Sequence, residues 1–228
     1  MHTIALDPAL LDRLRAARGG RLHVFDDIDP TKTAHVVIDL QNGFMEEGAP
    51  VEVPTARAIV PNVNAISAAV RAAGGTNIFV RFTTPVGALD GWSSFYARFS
   101  PEMRRGHQEA FAPGAHHHAL WPGLEVAADD PIVDKQRFAA FIPGTCDLHE
   151  MLQARGIDTL IVTGTLTNCC CKSTARDAMQ LNYKVIFVSD ANAALTDAEH
   201  NATLNNMAAL FCDVMTTAEV TATLTLSK

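Results

Sequence analysis

The stretch AHVVIDL, residues 34–40, is an uninterrupted run of mostly apolar and β-branched residues. Such a run predicts a β-strand that is buried on both faces, as in a parallel sheet. Five further segments of this kind follow along the chain: TNIFVRF (76–82), PIVDK (131–135), DTLIVTG (158–164), KVIFVSD (184–190) and DVMTT (213–217). The first strand therefore belongs to a predicted set of six, and the segments between the strands decide how they connect.

Helical patterns lie between these strands. Ile59, Val63, Ile66 and Val70 are spaced four, three and four residues apart, which is a helical stripe. The predicted helices cover 61–75, 145–156 with Thr145 as N-cap, about 169–181, and 196–211 with Thr196 and Glu199 as a capping box. Strands that alternate with helices predict a doubly wound, Rossmann-like α/β fold, with a six-stranded, mostly parallel sheet and helices on both faces.

Two segments lie outside this alternation. Residues 1–33 form a leader whose DPALLDRLRAARGG stretch predicts a short amphipathic helix, which we expect to pack on the domain or on a partner subunit. Residues 34–228 then form one domain. Within it, residues 83–130 are irregular and rich in Gly, Pro, His and aromatic residues, which indicates a lid or a binding segment.

Composition excludes several classes of protein. The 228 residues include 18 Lys and Arg against 25 Asp and Glu, so the formal net charge is −7. An acidic chain is a poor partner for nucleic acid or for an anionic membrane surface. No apolar run reaches the roughly 20 residues that span a bilayer, and the first 20 residues lack the apolar core of a signal peptide. We expect a cytoplasmic protein that acts on a small molecule.

The cysteines do not form a disulfide framework. There are five, Cys146, Cys169, Cys170, Cys171 and Cys212, and three of them are adjacent. Neighbouring cysteines rarely satisfy disulfide geometry, and the chain has no C-x-x-C pair for a zinc ribbon or a redox motif. Reduced thiols and no cofactor are therefore expected.

Polar residues follow three of the predicted strands. Asp39 closes the first strand, Lys135 closes PIVDK, and GTLTNCCCKSTARDA (164–178) follows DTLIVTG and opens a helix. Ligands of doubly wound sheets bind beyond the carboxyl ends of the strands. The fold thus brings together a carboxylate, an ammonium group and a thiol that are far apart in sequence.

These residues resemble the catalytic set of the isochorismatase-like cysteine hydrolases, and the resemblance covers about residues 33–217. The segments VVIDLQNGF, VDKQRFAAF, VTGTLTNCCCKSTARDA and VIFVSDANAA carry it. The family patterns D-x-Q-x-x-F, K-x-x-x-x-x-F and G-x-x-T-x-x-C-V-x-x-T-x-x-D-A are matched here by Asp39, Gln41 and Phe44, by Lys135 and Phe141, and by Gly164, Thr167, Cys170, Thr174, Asp177 and Ala178. Cys171 departs from the pattern, because the family often has Val there.

The resemblance implies that Cys170 is the nucleophile, that Asp39 is the general base and acid, and that Lys135 holds Asp39 ionised and oriented. A position in the first turn of a helix predicts a lowered thiol pKa for Cys170. Cys169 and Cys171 are about a hundred degrees away on an α-helix and are expected to pack in the interior. The family also implies a cis bond between Thr165 and Leu166, and an oxyanion hole made by the backbone N–H groups of Leu166 and Cys170.

The substrate pocket is harder to assign. Its candidate residues are Gln41, Phe44, Arg81, Trp92, Phe95, Tyr96, Phe141 and Thr167, and Arg81 would suit a substrate carboxylate. His116–His118 could bind a metal, or could form a polar loop or a subunit contact. Nicotinamidases of the family hold a metal with a D-x-H motif, but residues 45–60 contain no His, so no catalytic metal is predicted.

The main hypothesis is a cysteine amidohydrolase that cleaves a small amide, ureido or carbamoyl compound through a thioester. The leader looks most like that of the ureidoacrylate branch, and N-carbamoylsarcosine amidohydrolases are further relatives. Alternatives are the hydrolysis of the isochorismate vinyl ether, a larger amide or lactam such as streptothricin, and a redox-sensing protein with an activated thiol. The resemblance also implies a homodimer or a homotetramer.

Overall fold

A computed structural model describes residues 1–226, and its centre is one six-stranded sheet. The strands are β1 (Thr33–Ile38), β2 (Thr76–Phe82), β3 (Ile132–Lys135), β4 (Thr159–Thr165), β5 (Lys184–Ala193) and β6 (Asp213–Met215). Their order across the sheet is β3-β2-β1-β4-β5-β6, and every neighbouring pair is parallel. The predicted fold class is confirmed. The order reverses between β1 and β4, which is where a doubly wound sheet opens a crevice for ligands.

Ten α-helices lie within the described residues. They are α1 (Pro8–Ala17), α2 (Asn42–Met45), α3 (Val60–Ala72), α4 (Ala88–Gly91), α5 (Ser93–Tyr96), α6 (Pro101–Ala110), α7 (Leu148–Ala154), α8 (Lys172–Gln180), α9 (Asp197–Leu210) and α10 (Thr217–Leu226). Short 3₁₀ turns cover Pro30–Lys32, Pro54–Ile59 and His116–His118, and a π-helical turn covers Thr167–Cys171. None of the helices in residues 1–226 combines the length and apolar character that crossing a bilayer requires.

The sheet separates two hydrophobic cores because successive strand residues point to opposite faces. On β1, Val36 and Ile38 belong to one core and Val37 to the other. Helices α1, α7, α8 and α9 supply the first core, and α3 and α10 supply the second. Burial on both faces explains why the strands are apolar runs without alternation.

The leader packs against its own domain. Leu10 and Leu14 of α1 are buried in the first core. His2 lies 2.7 Å from the Asp197 carboxylate, and Arg18 pairs with Asp213 at 3.0 Å. These contacts attach the beginning of the leader and the end of α1 to α9 and β6.

Two local expectations were wrong, and one helix was missed. Residues 83–130 contain the ten-residue helix α6, so the segment is not irregular throughout. Helix α7 begins at Leu148, with Asp147 at the N-cap position, so Thr145 is not the N-cap. The Thr145 hydroxyl instead donates to Ile142 O. Helix α10 was not predicted, although Thr216 and Glu219 form a capping box in which each side chain accepts from the other residue's backbone N–H.

The close approach of β1 and β4 requires a glycine at position 164. Gly164 has a φ of +125°, and a Cβ built there would overlap the carbonyl oxygen of Ile38. Ile38 immediately precedes Asp39 on β1. The glycine therefore allows the two strands whose ends carry the candidate site to lie side by side.

We predict that Gly164→Ala lowers the free energy of unfolding by at least about 3 kcal/mol, because a side chain meets both an unfavourable φ and the β1 backbone. Chemical denaturation measures this value. Gly106→Ala is the matched control, since Gly106 lies in α6 with open space at its Cβ position and the change removes a helix-destabilising glycine. Equal stability of the Gly164→Ala and wild-type proteins would contradict the prediction.

Candidate active site

Asp39 follows β1 directly, and its backbone turns away from the sheet. Its φ of 56° is in the left-handed region, which costs an L-residue about 1–2 kcal/mol. The backbone N–H of Asp39 donates to Val80 O of β2 at 2.9 Å, and the side chain is fully buried. A buried carboxylate on a strained backbone is characteristic of functional sites, because the surrounding structure must enforce it.

Lys135, the last residue of β3, reaches across the end of β2 to Asp39. Its Nζ lies 2.8 Å from Asp39 Oδ2, 3.1 Å from Arg137 O and 5.0 Å from the centre of the Phe82 ring. Both charged side chains are fully buried. A buried ion pair of this kind is stable only when its geometry is good and its hydrogen bonds are satisfied. Burial lowers the pKa of Lys135, but the charges and hydrogen bonds of Asp39 and Cys170 together raise it above its ordinary value, so the ammonium stays protonated.

The second carboxylate oxygen of Asp39 is free to act on another group. Oδ1 is buried and has no hydrogen-bond partner among residues 1–226. Burial raises the pKa of Asp39 above its ordinary value, while Lys135 and the Cys170 thiol act against that rise. Asp39 is therefore a stronger base than an exposed aspartate, and Cys170 is close enough to influence it.

Cys170 lies on the π-helical turn between β4 and α8. The predicted helix start near Cys169 is thus a wider turn, and α8 proper begins at Lys172. Cys171 is buried in the first core, as expected. Cys169 packs against that core but also lines the same cavity as Cys170, so the prediction that it faces another direction was wrong. The geometry brings two adjacent thiols to one wall.

The structure corrects the expectation of a lowered pKa for Cys170. The hydrogen bond with Cys169, burial and the charge of Asp39 raise the pKa of the Cys170 thiol well above its ordinary value, and only Lys135 opposes them. The same hydrogen bond lowers the pKa of Cys169. Since the site holds one ammonium, it balances one negative charge. The raised pKa favours the neutral thiol of Cys170, which then needs a base to become a nucleophile.

The backbone before Cys170 has the form that the resemblance implied. The peptide bond between Thr165 and Leu166 is cis. The N–H groups of Cys169 and Cys171 both donate to Leu166 O, at 3.1 and 3.2 Å. Leu166 and Cys170 both line the cavity. The oxyanion hole assigned to their N–H groups stays a prediction.

A cavity of about 350 Å³ opens in front of Cys170, which is within the range of roughly 300–1,000 Å³ for small-molecule sites. Two predicted pocket residues, Phe44 and Phe95, line it. The remaining lining residues are Pro50, Val51, Phe82, Phe99, Met103, Gly106, His107, Phe138, Leu166, Cys169 and Cys170. The wall is almost entirely apolar and aromatic.

Three polar residues that were predicted for the pocket lie outside this lining and have other partners. Gln41 Nε2 donates to Phe82 O and His118 O, and Gln41 Oε1 accepts from Phe82 N–H. The Thr167 hydroxyl lies 2.9 Å from His200 Nδ1. Arg81 Nε donates to Asp134 Oδ1 at 2.8 Å. These residues hold the ends of the strands and the π-helical turn in place.

The three predicted aromatic residues Trp92, Tyr96 and Phe141 also lie outside the lining. Trp92 stacks on Phe95 at 4.3 Å between ring centres, and the Tyr96 hydroxyl is 3.3 Å from His107 Nδ1. Both therefore support residues of the cavity wall from behind. Phe141 packs in the first core.

Helix α6 and Phe99, just before its N-cap, supply wall residues that were not predicted. Phe99, Met103 and His107 lie four residues apart, and Ala110 follows three later, which is a helical stripe. Ser100 caps the helix, since its hydroxyl accepts from Met103 N–H. This periodicity and the Ser-Pro start were the signals that could have identified them.

The histidine run forms a cluster at the surface. His116 Nε2 lies 2.7 Å from Glu46 Oε1, and His117 Nε2 lies 3.4 Å from Glu46 Oε2. Two imidazoles and a carboxylate are ligand types that Zn²⁺ accepts, so these three side chains could hold a cation. They are not part of the cavity lining. His118 is instead buried, with Nε2 2.7 Å from the Thr83 hydroxyl.

Comparison with known proteins agrees with this geometry. The Isochorismatase domain matches residues 33–219. An uncharacterized isochorismatase family protein of Bacillus subtilis (strain 168) is 36% identical over 78% of this chain and 86% of its own length. A ureidoacrylate amidohydrolase of Rhizobium rhizogenes is 28% identical over 86% of this chain and 85% of its own.

A crystal structure of a cysteine hydrolase from Pseudomonas syringae pv. phaseolicola superposes with a TM-score of 0.76. It is 32% identical, and the match covers 88% of this chain and 96% of that one. The family model thus covers most of the chain, including the sheet, the buried Asp39–Lys135 pair and the thiol in the cavity. The chain belongs to the isochorismatase family.

Proposed function

We propose that this protein is a cysteine amidohydrolase, which cleaves the carbon–nitrogen bond of a small amide, ureido or carbamoyl substrate through a thioester at Cys170. One observation carries the proposal: Asp39 is fully buried, and its Oδ2 lies 2.8 Å from Lys135 Nζ. Its Oδ1 has no hydrogen-bond partner within residues 1–226, and the Cys170 thiol is close enough to lower the pKa of Asp39. A base held in this way is available for one proton transfer.

The reaction begins with a proton transfer from Cys170 Sγ to Asp39. The thiolate attacks the substrate carbonyl carbon, and the N–H groups of Leu166 and Cys170 stabilise the resulting oxyanion. The carbon–nitrogen bond then breaks as Asp39 gives its proton to the departing nitrogen. Water attacks the thioester with Asp39 again as base, which releases the carboxylic acid and restores the Cys170 thiol.

Lys135 keeps the site neutral throughout. Before the proton transfer the site contains an ammonium, a carboxylate and a thiol, and afterwards it contains an ammonium, a carboxylic acid and a thiolate. The net charge is the same in both states, so no uncompensated charge is buried at either stage. The ammonium also fixes the position of Asp39 through Oδ2 and leaves Oδ1 for catalysis.

The relatives support the class of enzyme. The name of the ureidoacrylate amidohydrolase describes an enzyme that hydrolyses a carbon–nitrogen bond other than a peptide bond. The Pseudomonas syringae structure is that of a cysteine hydrolase. Hydrolysis of a vinyl ether needs a proton from the aspartate but no thiol, so the cavity position of Cys170 favours the amidohydrolase. A redox sensor would not need the Asp39–Lys135 pair.

We predict that Cys170→Ala abolishes ammonia release and that Asp39→Asn lowers kcat by about 10²–10⁴-fold, because the first removes the nucleophile and the second removes the base. The assay measures ammonia from a panel of ureidoacrylate, N-carbamoyl amino acids, maleamate, nicotinamide, biuret and simple amides. Mass spectrometry of rapidly quenched enzyme should show an acyl group on the peptide that contains Cys170.

The other thiols provide the controls. Cys169→Ala should still form the acyl-enzyme, and Cys212→Ala, which changes a buried residue outside the cavity lining, should leave the rates unchanged. An acyl group on Cys169, or near-normal turnover by Asp39→Asn, would refute the assigned roles.

We predict a bell-shaped dependence of kcat/KM on pH. Activity requires an ionised Asp39, whose pKa is raised, so the acid limb should lie above the ordinary aspartate value of about 4. It also requires the proton on Cys170, whose pKa is raised, so the alkaline limb should lie above about 8.5. Lys135→Met should move the acid limb upward by about one to three pH units, because the ammonium favours the ionised carboxylate.

Lys184→Met is the matched control for Lys135→Met, since Lys184 pairs with Asp158 at the surface and should not affect the profile. Thermal unfolding of both variants separates lost stability from a shifted limb, and Lys135→Arg should keep the acid limb nearer its original position. An acid limb that does not move in Lys135→Met would show that Lys135 does not act on the base.

A further inference from the structure

Among residues 1–226, no charged side chain lines the active-site cavity. Its lining residues include the phenylalanines Phe44, Phe82, Phe95, Phe99 and Phe138, with no Lys, Arg, Asp or Glu among them. Several of these rings pack against each other, with Phe95 5.0 Å from Phe99 and 5.2 Å from Phe138 between ring centres. Aromatic walls bind flat or bulky apolar groups by offset and edge-to-face contact.

His107 is the one titratable side chain of the lining besides the two thiols, and it does not supply a charge. Burial lowers the pKa of His107 to about 4, so the ring is neutral near pH 7. Its Nδ1 lies 3.3 Å from the Tyr96 hydroxyl, and the Phe82 and Phe95 rings flank it. The cavity wall thus offers one neutral polar side chain.

Three cations beside residues of the site already have partners. Lys135 is bound to Asp39 and to Arg137 O. Arg137 donates to Gln136 O and Gly91 O, and its guanidinium lies over the Trp92 ring at 5.0 Å. Arg81 pairs with Asp134. A carboxylate that entered the cavity would lose its water without gaining a cationic partner from the wall.

The cavity also limits the size of the group. Its volume is about 350 Å³, and a water molecule occupies about 30 Å³ of the liquid. An occupant of roughly ten non-hydrogen atoms is therefore the right scale. That is more than an acyl group such as acetyl needs, and it matches a phenyl ring with a short spacer.

We propose that the substrate is an amide with an uncharged, apolar acyl group, aromatic or branched aliphatic, of about ten non-hydrogen atoms. Amides that carry a carboxylate, as ureidoacrylate does, are then poor substrates. This inference rests on the proposed amidohydrolase function and names the substrate class of the same site. It separates this protein from the amidohydrolase that it resembles in sequence.

A matched pair of amides tests the charge directly. 3-Phenylpropanamide and succinamate share the amide and the two-methylene spacer, and differ in a phenyl ring against a carboxylate. Methyl succinamate removes the charge of succinamate at nearly the same size. We expect kcat/KM for 3-phenylpropanamide to exceed that for succinamate by at least about 100-fold, with methyl succinamate between them.

A variant of the cavity wall provides the second test. Met103 lines the cavity and is 59% exposed, so Met103→Lys places an ammonium at its rim without burying it. This change should lower kcat/KM for 3-phenylpropanamide and raise that for succinamate, each by about tenfold. Met179→Lys is the control, since Met179 is 40% exposed on α8, outside the lining, and should alter neither value.

Binding to Cys170→Ala, measured by calorimetry, separates this inference from the proposed function. If 3-phenylpropanamide binds to that variant and the wild-type protein releases no ammonia from it, the ligand class stands and the amidohydrolase function fails. If the wild-type enzyme hydrolyses succinamate or ureidoacrylate as well as the phenyl amide, the amidohydrolase function stands and the apolar substrate class is overturned. If the neutral amides neither bind to Cys170→Ala nor are hydrolysed by the wild-type enzyme, that result alone overturns the inference.

Discussion

The ion pair between Asp39 and Lys135 is the interaction on which the site depends. Two opposite charges are fully buried at 2.8 Å, at the ends of strands that lie two places apart in the sheet. Loss of either partner leaves an uncompensated buried charge, which typically costs about 3–5 kcal/mol. The Phe82 ring, at the end of the strand between them, lies under the ammonium and shields the pair from water.

In the proposed mechanism, that single ammonium determines the chemistry of the thiol. Asp39 and Cys170 are two acids in one dry site, and one positive charge can balance only one of them in ionised form. The burial that raises the pKa of the aspartate makes it a better base, and the aspartate in turn keeps the cysteine protonated until a proton moves between them. A thiol activated by the helix end alone would need no such partner.

The catalytic roles of Asp39, Lys135 and Cys170 stay what the family resemblance implies, but their proximity was predictable from the sheet. Parallel strands end at one edge, so polar residues such as Asp39 and Lys135 that directly follow apolar runs must meet there. The raised pKa of Cys170 was not predictable, because it follows from burial and from neighbours that only the tertiary structure supplies. Helix α10 was visible in the sequence through its capping box. The stripe of Phe99, Met103 and His107 was visible through its helical period, but the aromatic and Gly-Pro-rich composition around α6 obscured that period.

The proposed reaction and the proposed specificity thus depend on different parts of the chain. The sheet and the π-helical turn hold the reacting groups, whereas Phe95, Phe99, Met103 and His107 come from the segment between β2 and β3, where an inserted helix faces the same crevice. Changes in that segment can exchange charged for apolar wall residues without moving Asp39 or Cys170. A relative with about 28% identity can therefore share the fold and still differ in substrate. On this proposal, the wall decides whether a charged substrate is accepted, because a buried charge needs a partner.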